Sequence, residues 1–128
     1  MNIAVDIDGT ITRCPELFAV LCEGIRKKRG KVFIITSREA SPDVERQTKQ
    51  ELGEMGIVYD ELFIIRGEKQ KPIPCPHREL DWYRKYLWQK VRICLDHKVE
   101  AVFEDSQKVI DLFRQYAPGI CVFQIHGT

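Results

Sequence analysis

A disulfide framework is the first thing missing from this sequence. Its five cysteines, Cys14, Cys22, Cys75, Cys94 and Cys121, are odd in number and form no CxxC pair, which excludes a cross-linked scaffold. Cys75-Pro76-His77 sets a thiol near an imidazole, but no second pair stands nearby to complete a zinc site. Structural roles are expected for both residues. Long apolar runs are also absent, and the opening Met1-Asn2-Ile3-Ala4-Val5-Asp6 has no basic n-region. The expectation is a cytoplasmic protein with no membrane partner. No GxxxxGK[ST] sequence occurs, so the phosphate-cradling loop of the P-loop kinases is excluded. The formal net charge is only +1, and any attraction for polyanions must come from local patches. Repeats, linkers and low-complexity segments are lacking too. With 128 residues, 44% hydrophobic and 30% charged, one globular domain over residues 1–128 with a real core is expected.

Short apolar runs alternate with amphipathic stretches. Ile3-Ala4-Val5, Val32-Phe33-Ile34-Ile35, Leu62-Phe63-Ile64-Ile65, Ala101-Val102-Phe103 and Ile120 to Ile125 read as buried strands. Between them lie four helical patterns. Leu17, Leu21 and Ile25 recur at helical spacing after Pro15, which suits a first helical turn. Ser41 reads as an N-cap with Pro42 behind it, Val44, Thr48, Leu52 and Met55 as one inward face, and Gly56 as the stop. Leu80, Tyr83, Leu87, Val91 and Cys94 mark a long third helix, and Val109, Leu112, Phe113 and Tyr116 a fourth. Pro72, Pro74 and Pro76 make the segment from Gly67 to His77 an extended loop. Strands alternating with helices predict parallel β-α units and an α/β sandwich.

In open α/β sheets, ligands bind beyond the carboxyl ends of the strands, so the residues at those ends carry the functional information. The first strand ends in Asp6-Ile7-Asp8-Gly9-Thr10, the second in Thr36-Ser37-Arg38, and the fourth in Glu104-Asp105-Ser106. Carboxylates, hydroxyls and a guanidinium at the ends of apolar strands suit phosphoryl transfer. That chemistry needs a nucleophile, a proton donor for the leaving alkoxide and positive charge around the phosphoryl oxygens. Asp6 can attack phosphorus to give an aspartyl-phosphate. Asp8 can protonate the leaving group and later deprotonate water. Two carboxylates facing a phosphate need a hard cation between them, and Mg2+ accepts sparse carboxylate and carbonyl coordination. Gly9 allows a tight turn after the acids.

These runs resemble the motifs of the haloacid dehalogenase (HAD) superfamily. Asp6-Ile7-Asp8-Gly9-Thr10 is similar to its first motif, DxDGT after a hydrophobic strand. Ile34-Ile35-Thr36 resembles the second and Val102-Phe103-Glu104-Asp105 the fourth. Lys90, 15 residues before Asp105, is the best candidate for the lysine of the third motif; Lys98 lies too near the strand, and Lys69 or Lys71 would have to reach in from the loop. The resemblance implies a Rossmann-like three-layer α/β/α sandwich whose five-stranded parallel sheet has the order 5-4-1-2-3. It implies Mg2+ held by Asp6, the backbone carbonyl of Asp8 and Asp105, with Glu104 as a second acid that supports or exchanges roles with Asp105. It implies phosphate contacts from Thr36, Ser37, Arg38 and Lys90. The run Thr36-Ser37-Arg38-Glu39-Ala40-Ser41 further resembles the Ser-Gly-Arg-Glu-Ser run of the 3′-phosphatase domains of phage polynucleotide kinase-phosphatases, which makes Arg38 a phosphate clamp suited by its bidentate fork.

About 20 residues separate the first motif from the second strand, and about 22 separate the third strand from Lys90. Both intervals are filled by elements the fold needs, so no cap domain is expected. An open site suits a nucleic-acid 3′ end, or a small phosphate closed off by the loop or by oligomerisation. The leading expectation is a Mg2+-dependent phosphomonoesterase for nucleotides or 3′-phosphate ends. The alternatives are a phosphatase for sugar phosphates or other small phosphates, a phosphoacceptor signalling module and a non-catalytic binder of phospho-ligands. Two features stand outside this reading. The basic run Arg26-Lys27-Lys28-Arg29-Gly30-Lys31 complements a helix C-terminus, with polyanion contact as the alternative. Trp82, Tyr83, Tyr86 and Trp88 read as core or interface aromatics, with base stacking as the alternative.

Overall fold

The structure, a computed structural model, describes residues 1–126. Five strands, β1 (Ile3–Val5), β2 (Val32–Thr36), β3 (Glu61–Ile64), β4 (Ala101–Glu104) and β5 (Cys121–Gln124), form one parallel sheet in the order β3-β2-β1-β4-β5. This is the expected order, read from the other edge. Central β1 pairs on both sides, with Ile3 opposite Val32 and Ala101, and Val5 opposite Ile34 and Phe103. The helices α1 (Pro15–Lys27), α2 (Pro42–Glu54), α3 (Trp82–Asp96) and α4 (Gln107–Tyr116) cover both faces. The fold is a Rossmann-like α/β sandwich, and among the described residues no further domain is inserted between its elements.

Strand alternation builds two cores. Side chains two apart share a face, so Ile3, Val5, Val32, Ile34 and Ala101 pack with Phe18 and Cys22 of α1 and Leu52 of α2. Ala4, Phe33, Ile35 and Val102 face the other way and pack with Leu87, Val91 and Cys94 of α3 and Val109 and Phe113 of α4. Phe18 and Phe113 are essentially inaccessible, each worth about 1.5–3 kcal/mol of burial. Ser41 caps α2, its side chain accepting from the Val44 N–H at 3.2 Å. Gly56 stops the chain beyond α2 with a φ of 73°, a conformation that glycine adopts freely.

One expected face is rotated. Leu17 is 61% exposed, and the α1 side chains buried against the sheet are Phe18 and Cys22, with Leu21 and Ile25 at their margin. The apolar stripe is wider than the sheet contact, and the bulkier phenyl ring takes the centre. Tyr83 likewise points outward from α3, and Leu80 precedes that helix. Among the described residues no helix is long and apolar enough to cross a membrane.

Candidate active site

The sheet order reverses between β1 and β4, since β2 and β3 extend from β1 on one side and β4 and β5 lie on the other. Chain segments leaving β1 and β4 therefore diverge, and the crevice beyond their carboxyl ends is where open α/β sheets bind ligands. Asp6 directly follows β1, and Glu104 is the last residue of β4. After Asp6 the chain makes one wide turn, with the Thr12 N–H donating to the Ile7 carbonyl at 3.1 Å. Wide turns of this kind recur at functional sites. Gly9 lies inside it at a φ of 81°, and a Cβ there would overlap the Asp105 carboxylate. The turn therefore needs glycine both for its backbone and for the space that Asp105 fills.

Asp6 is nearly buried and fully engaged. Its Oδ1 accepts from Lys90 Nζ at 3.0 Å, and its Oδ2 accepts from the Thr10 hydroxyl at 3.1 Å. Lys90 reaches this point from α3 and also donates to Glu104 Oε2 at 2.9 Å. Glu104 Oε1 accepts from the backbone N–H groups of Asp105 and Ser106, each at 3.2 Å. Thus Glu104 is consumed in holding Lys90 and the loop after β4, while Asp105 stays exposed. Carboxylate oxygens of Asp6, Glu104 and Asp105 lie within 4.8 Å of one another. A convergent set of hard oxygen donors suits a divalent cation such as Mg2+.

Burial governs the charge states here. It pushes the Asp6 carboxyl up to about 7, with Lys90 pulling it down and Glu104 adding to the rise. For Lys90, burial favours the neutral amine, but Glu104 and Asp6 more than reverse this and hold the ammonium above its usual range. Two carboxylates around one ammonium leave excess negative charge in a dry place, which a bound cation would relieve.

A second ionic cluster sits beside the first, in contact with water. Arg38, just beyond β2, grips Asp8 with both arms of its fork, Nε to Oδ2 at 2.9 Å and Nη2 to Oδ1 at 2.8 Å. From behind, Arg38 is held by Glu51 at 2.8 Å and by the Thr48 hydroxyl at 3.1 Å, both on α2. Hydrogen bonds from Arg38 hold the Asp8 carboxyl below its usual range. Thr36 is buried, and its hydroxyl accepts from the Arg38 N–H at 3.2 Å. Ser37 is exposed, and its carbonyl accepts from the Tyr86 hydroxyl at 3.1 Å.

Asp6, Lys90, Glu104 and Asp105 thus come together in this crevice, Lys90 from 84 positions away from Asp6. Asp8, Thr36 and Arg38 are joined beside them, whereas Ser37 is engaged through its carbonyl by Tyr86. Sequence reasoning missed Glu51, whose signal was its position three residues after inward-facing Thr48 on one helix face. It also missed Gln89. The buried Gln89 side chain accepts from the N–H groups of Arg66 (3.3 Å) and Ile73 (3.2 Å) and donates to the Arg66 and Tyr86 carbonyls (2.8 and 3.0 Å). It latches the proline-rich loop onto α3, using all four of its hydrogen-bonding positions, and nothing in the sequence marked it. The basic run 26–31 lies between the end of α1 and the start of β2, at the opposite end of the sheet from the crevice. Cys75 packs against the core, and His77 stacks on Tyr116 with ring centroids 3.9 Å apart.

No family model and no curated protein matches this sequence. Solved structures do match it. Two structures of the Pnkp1/Rnl/Hen1 complex, one described as an RNA repair complex, contain a chain that superposes with TM-scores of 0.65 and 0.64 at 18% and 21% identity. These matches cover 97% of this chain, which spans only 45% and 42% of the length of those chains. A universal stress protein in complex with cAMP matches at a TM-score of 0.55 and 10% identity, covering 98% of both chains. Another, from Archaeoglobus fulgidus, matches at 0.51 and 14%, covering 98% of this chain and 93% of its own. At these identities the likenesses establish a shared α/β fold. The chemistry rests on the crevice.

Proposed function

We propose that this chain is a Mg2+-dependent phosphomonoesterase that works through an aspartyl-phosphate on Asp6, acting on nucleotides or on 3′-phosphate ends of nucleic acid. The observation that carries the proposal is the convergence of Asp6, Lys90 and Asp105 at the sheet's switch point, with Asp8 and Arg38 on its open side. Asp6 and Asp105, with the carbonyl of Asp8, are the groups that would hold Mg2+. When bound, the ion supplies positive charge that lets an anionic nucleophile meet an anionic phosphate. The remaining steps belong to the chain's own side chains. An Asp6 oxygen attacks phosphorus as the bond to the leaving oxygen breaks, and Asp8 gives that oxygen its proton. Asp8 then takes a proton from the water that attacks the phosphoryl group, returning Asp6 to a free carboxylate. Lys90 holds Asp6 at a fixed angle, and Thr36, Ser37 and Arg38 face the phosphoryl oxygens.

Arg38 gives the site an internal substitute for substrate. A guanidinium fork matches carboxylate and phosphate equally well, so an arriving phosphate can take the arm that now holds Asp8. Asp8 then loses the contact that keeps its proton affinity low and becomes able to act as an acid. Resemblance of the strand-end motifs to HAD phosphatases supports this reading, as does the likeness in fold to chains of an RNA repair complex.

A second reading is a non-catalytic phospho-ligand binder. It is favoured by the same Arg38–Asp8 pair, which in the free protein keeps Asp8 ionised, and by the fold shared with a universal stress protein bound to cAMP. The two readings separate in a phosphate-release assay on a 3′-phosphorylated DNA oligonucleotide, a mononucleotide panel and sugar phosphates, with Mg2+ or EDTA. Mg2+-dependent release supports the phosphatase, and the preferred substrate identifies its class. Tight binding without release from any of them supports the binder.

A further inference from the structure

The first turns of α3 carry three clustered aromatic side chains, of which Trp82 and Tyr83 lie outside the core and Tyr86 packs against its edge. Trp82 and Tyr83 are 59% and 44% exposed, and Tyr86 is partly exposed. Their sequence neighbour Trp88 is buried in the core against Leu87, Val91 and their neighbours. The three rings cluster, Trp82 nearly parallel to Tyr86 at 8° between planes, with Tyr83 inclined by 22° to Tyr86 and by 31° to Trp82, all centroids about 6 Å apart. Single apolar side chains on a surface need no explanation, but a contiguous aromatic cluster does.

The array touches the loop after β2 and the first turn of α4, the helix that follows the acidic end of β4. The Tyr86 hydroxyl donates to the Ser37 carbonyl, next to the clamp residue Arg38. Lys108, three residues beyond Asp105, stands over the Tyr83 ring with Nζ 5.1 Å from its centroid. Beside the array is a cavity of about 180 Å³, walled by Pro72, Pro74, Trp82 and Tyr86. It is smaller than the roughly 300 Å³ of pockets that enclose a whole drug-sized ligand, and suits one planar group. Its charged lining is two cations, Arg66 and Lys85, and one carboxylate, Glu68. Neither cation forms an ion pair among the described residues. The Gln89 latch fixes the floor, because it ties Arg66 and Ile73 of the loop to the Tyr86 carbonyl.

The geometry points to this array as a base-stacking subsite that receives the terminal nucleobase of a single-stranded nucleic acid whose 3′-phosphate enters the crevice. Flat aromatic faces accept any base by stacking, and the adjoining cations match a polyanionic strand. The flat faces carry no matching hydrogen-bond set, so little sequence preference is expected. This inference rests on the reading of the crevice as a site for nucleic-acid phosphomonoesters, and it adds which part of the substrate the protein grips besides the phosphate.

Binding tests it without any need for turnover. Asp6→Asn protein in Mg2+ is titrated with a fluorescent 3′-phosphorylated DNA oligonucleotide, and with the same oligonucleotide whose terminal residue is abasic. The intact strand should bind more tightly, and Trp82→Ala should weaken it about tenfold to a hundredfold while leaving the abasic strand unchanged. Trp82→Phe, which keeps a stacking face, should recover most of the loss, and Tyr83→Ala should show a smaller loss of the same base-dependent kind. Equal affinity for intact and abasic strands overturns the subsite, as does an equal loss for both on Trp82→Ala, or no measurable binding of either. Wild-type hydrolysis is scored separately. Base-dependent binding without Mg2+-dependent phosphate release would refute the phosphatase reading and leave the subsite standing.

Discussion

Two ionic clusters flank the same point at the end of the sheet and are built in opposite ways. Asp6, Lys90 and Glu104 are buried, and Lys90 and Glu104 direct all their charged atoms at one another, at Asp6 or at backbone. In the second cluster the two carboxylates are open to water, the Asp8 and Glu51 side chains being 62% and 44% exposed, while Arg38 between them is 18% exposed. In a dry cluster a charge cannot leave without exposing its partner to an uncompensated desolvation cost. In a wet cluster water screens each pair, and exchanging one anion for another costs little. The dry cluster is suited to fixing a nucleophile and the wet one to changing partners during a reaction.

The contrast breaks most visibly when the central cation is removed. Lys90→Met should destabilise the protein by about 3–5 kcal/mol, the usual consequence of stripping a buried pair of one partner, read as a lower midpoint in urea. Arg38→Met, removing the cation of the wetter cluster, should cost less, about 1–2 kcal/mol by the same measurement, because the Asp8 and Glu51 carboxylates it leaves behind stay in contact with water. In activity the order changes. Asp8→Asn should lower kcat by about 10²–10⁴-fold through loss of the acid–base group, with the urea midpoint nearly unmoved. Glu51→Gln should have the smallest effect, a rise in KM of a fewfold, because it loosens the rear support of Arg38 and touches no reacting atom.

pH sharpens the same distinction. The Asp6 carboxyl lies at about 7 in the folded protein, against 3.8 as its ordinary value. Lys90, Glu104 and Asp105 face it. As pH rises from about 4 toward 7, the unfolded chain ionises this acid freely and the folded chain resists. In EDTA the Asp6 contribution to stability is therefore greatest at the acid end of this range and is lost as pH passes through about 7. Mg2+ should reverse the loss. Its effect on Tm is expected to be larger at pH 8 than at pH 5, because cation and proton compete for the same oxygens.

The sheet was legible because its strands are short apolar runs with polar ends, and a parallel sheet buried on both faces demands that pattern. The strand ends were legible for the same reason: Asp6, Thr36 and Glu104 interrupt runs that otherwise continue apolar. Lys90 needed the resemblance, since a lysine on an amphipathic helix reads locally as solvated. Burial of Phe18 in place of Leu17 was illegible because both lie within one broad apolar stripe, and the sheet's packing chooses between them. The Arg38–Asp8 pairing could not be foreseen because two loops from different strands create it. Gln89 was hidden by its chemistry, as a glutamine reads as surface unless the backbone groups it serves are known.

Covalent trapping decides whether Asp6 is the nucleophile. Wild-type protein turning over a 3′-phosphorylated oligonucleotide in Mg2+ is quenched in acid, reduced with borohydride to convert any acyl phosphate, digested and sequenced by mass spectrometry. Modification of Asp6 alone is expected, absent when substrate or Mg2+ is omitted and absent in Asp6→Asn. Steady phosphate release with Asp6 unmodified, or release that persists in Asp6→Asn, would contradict it.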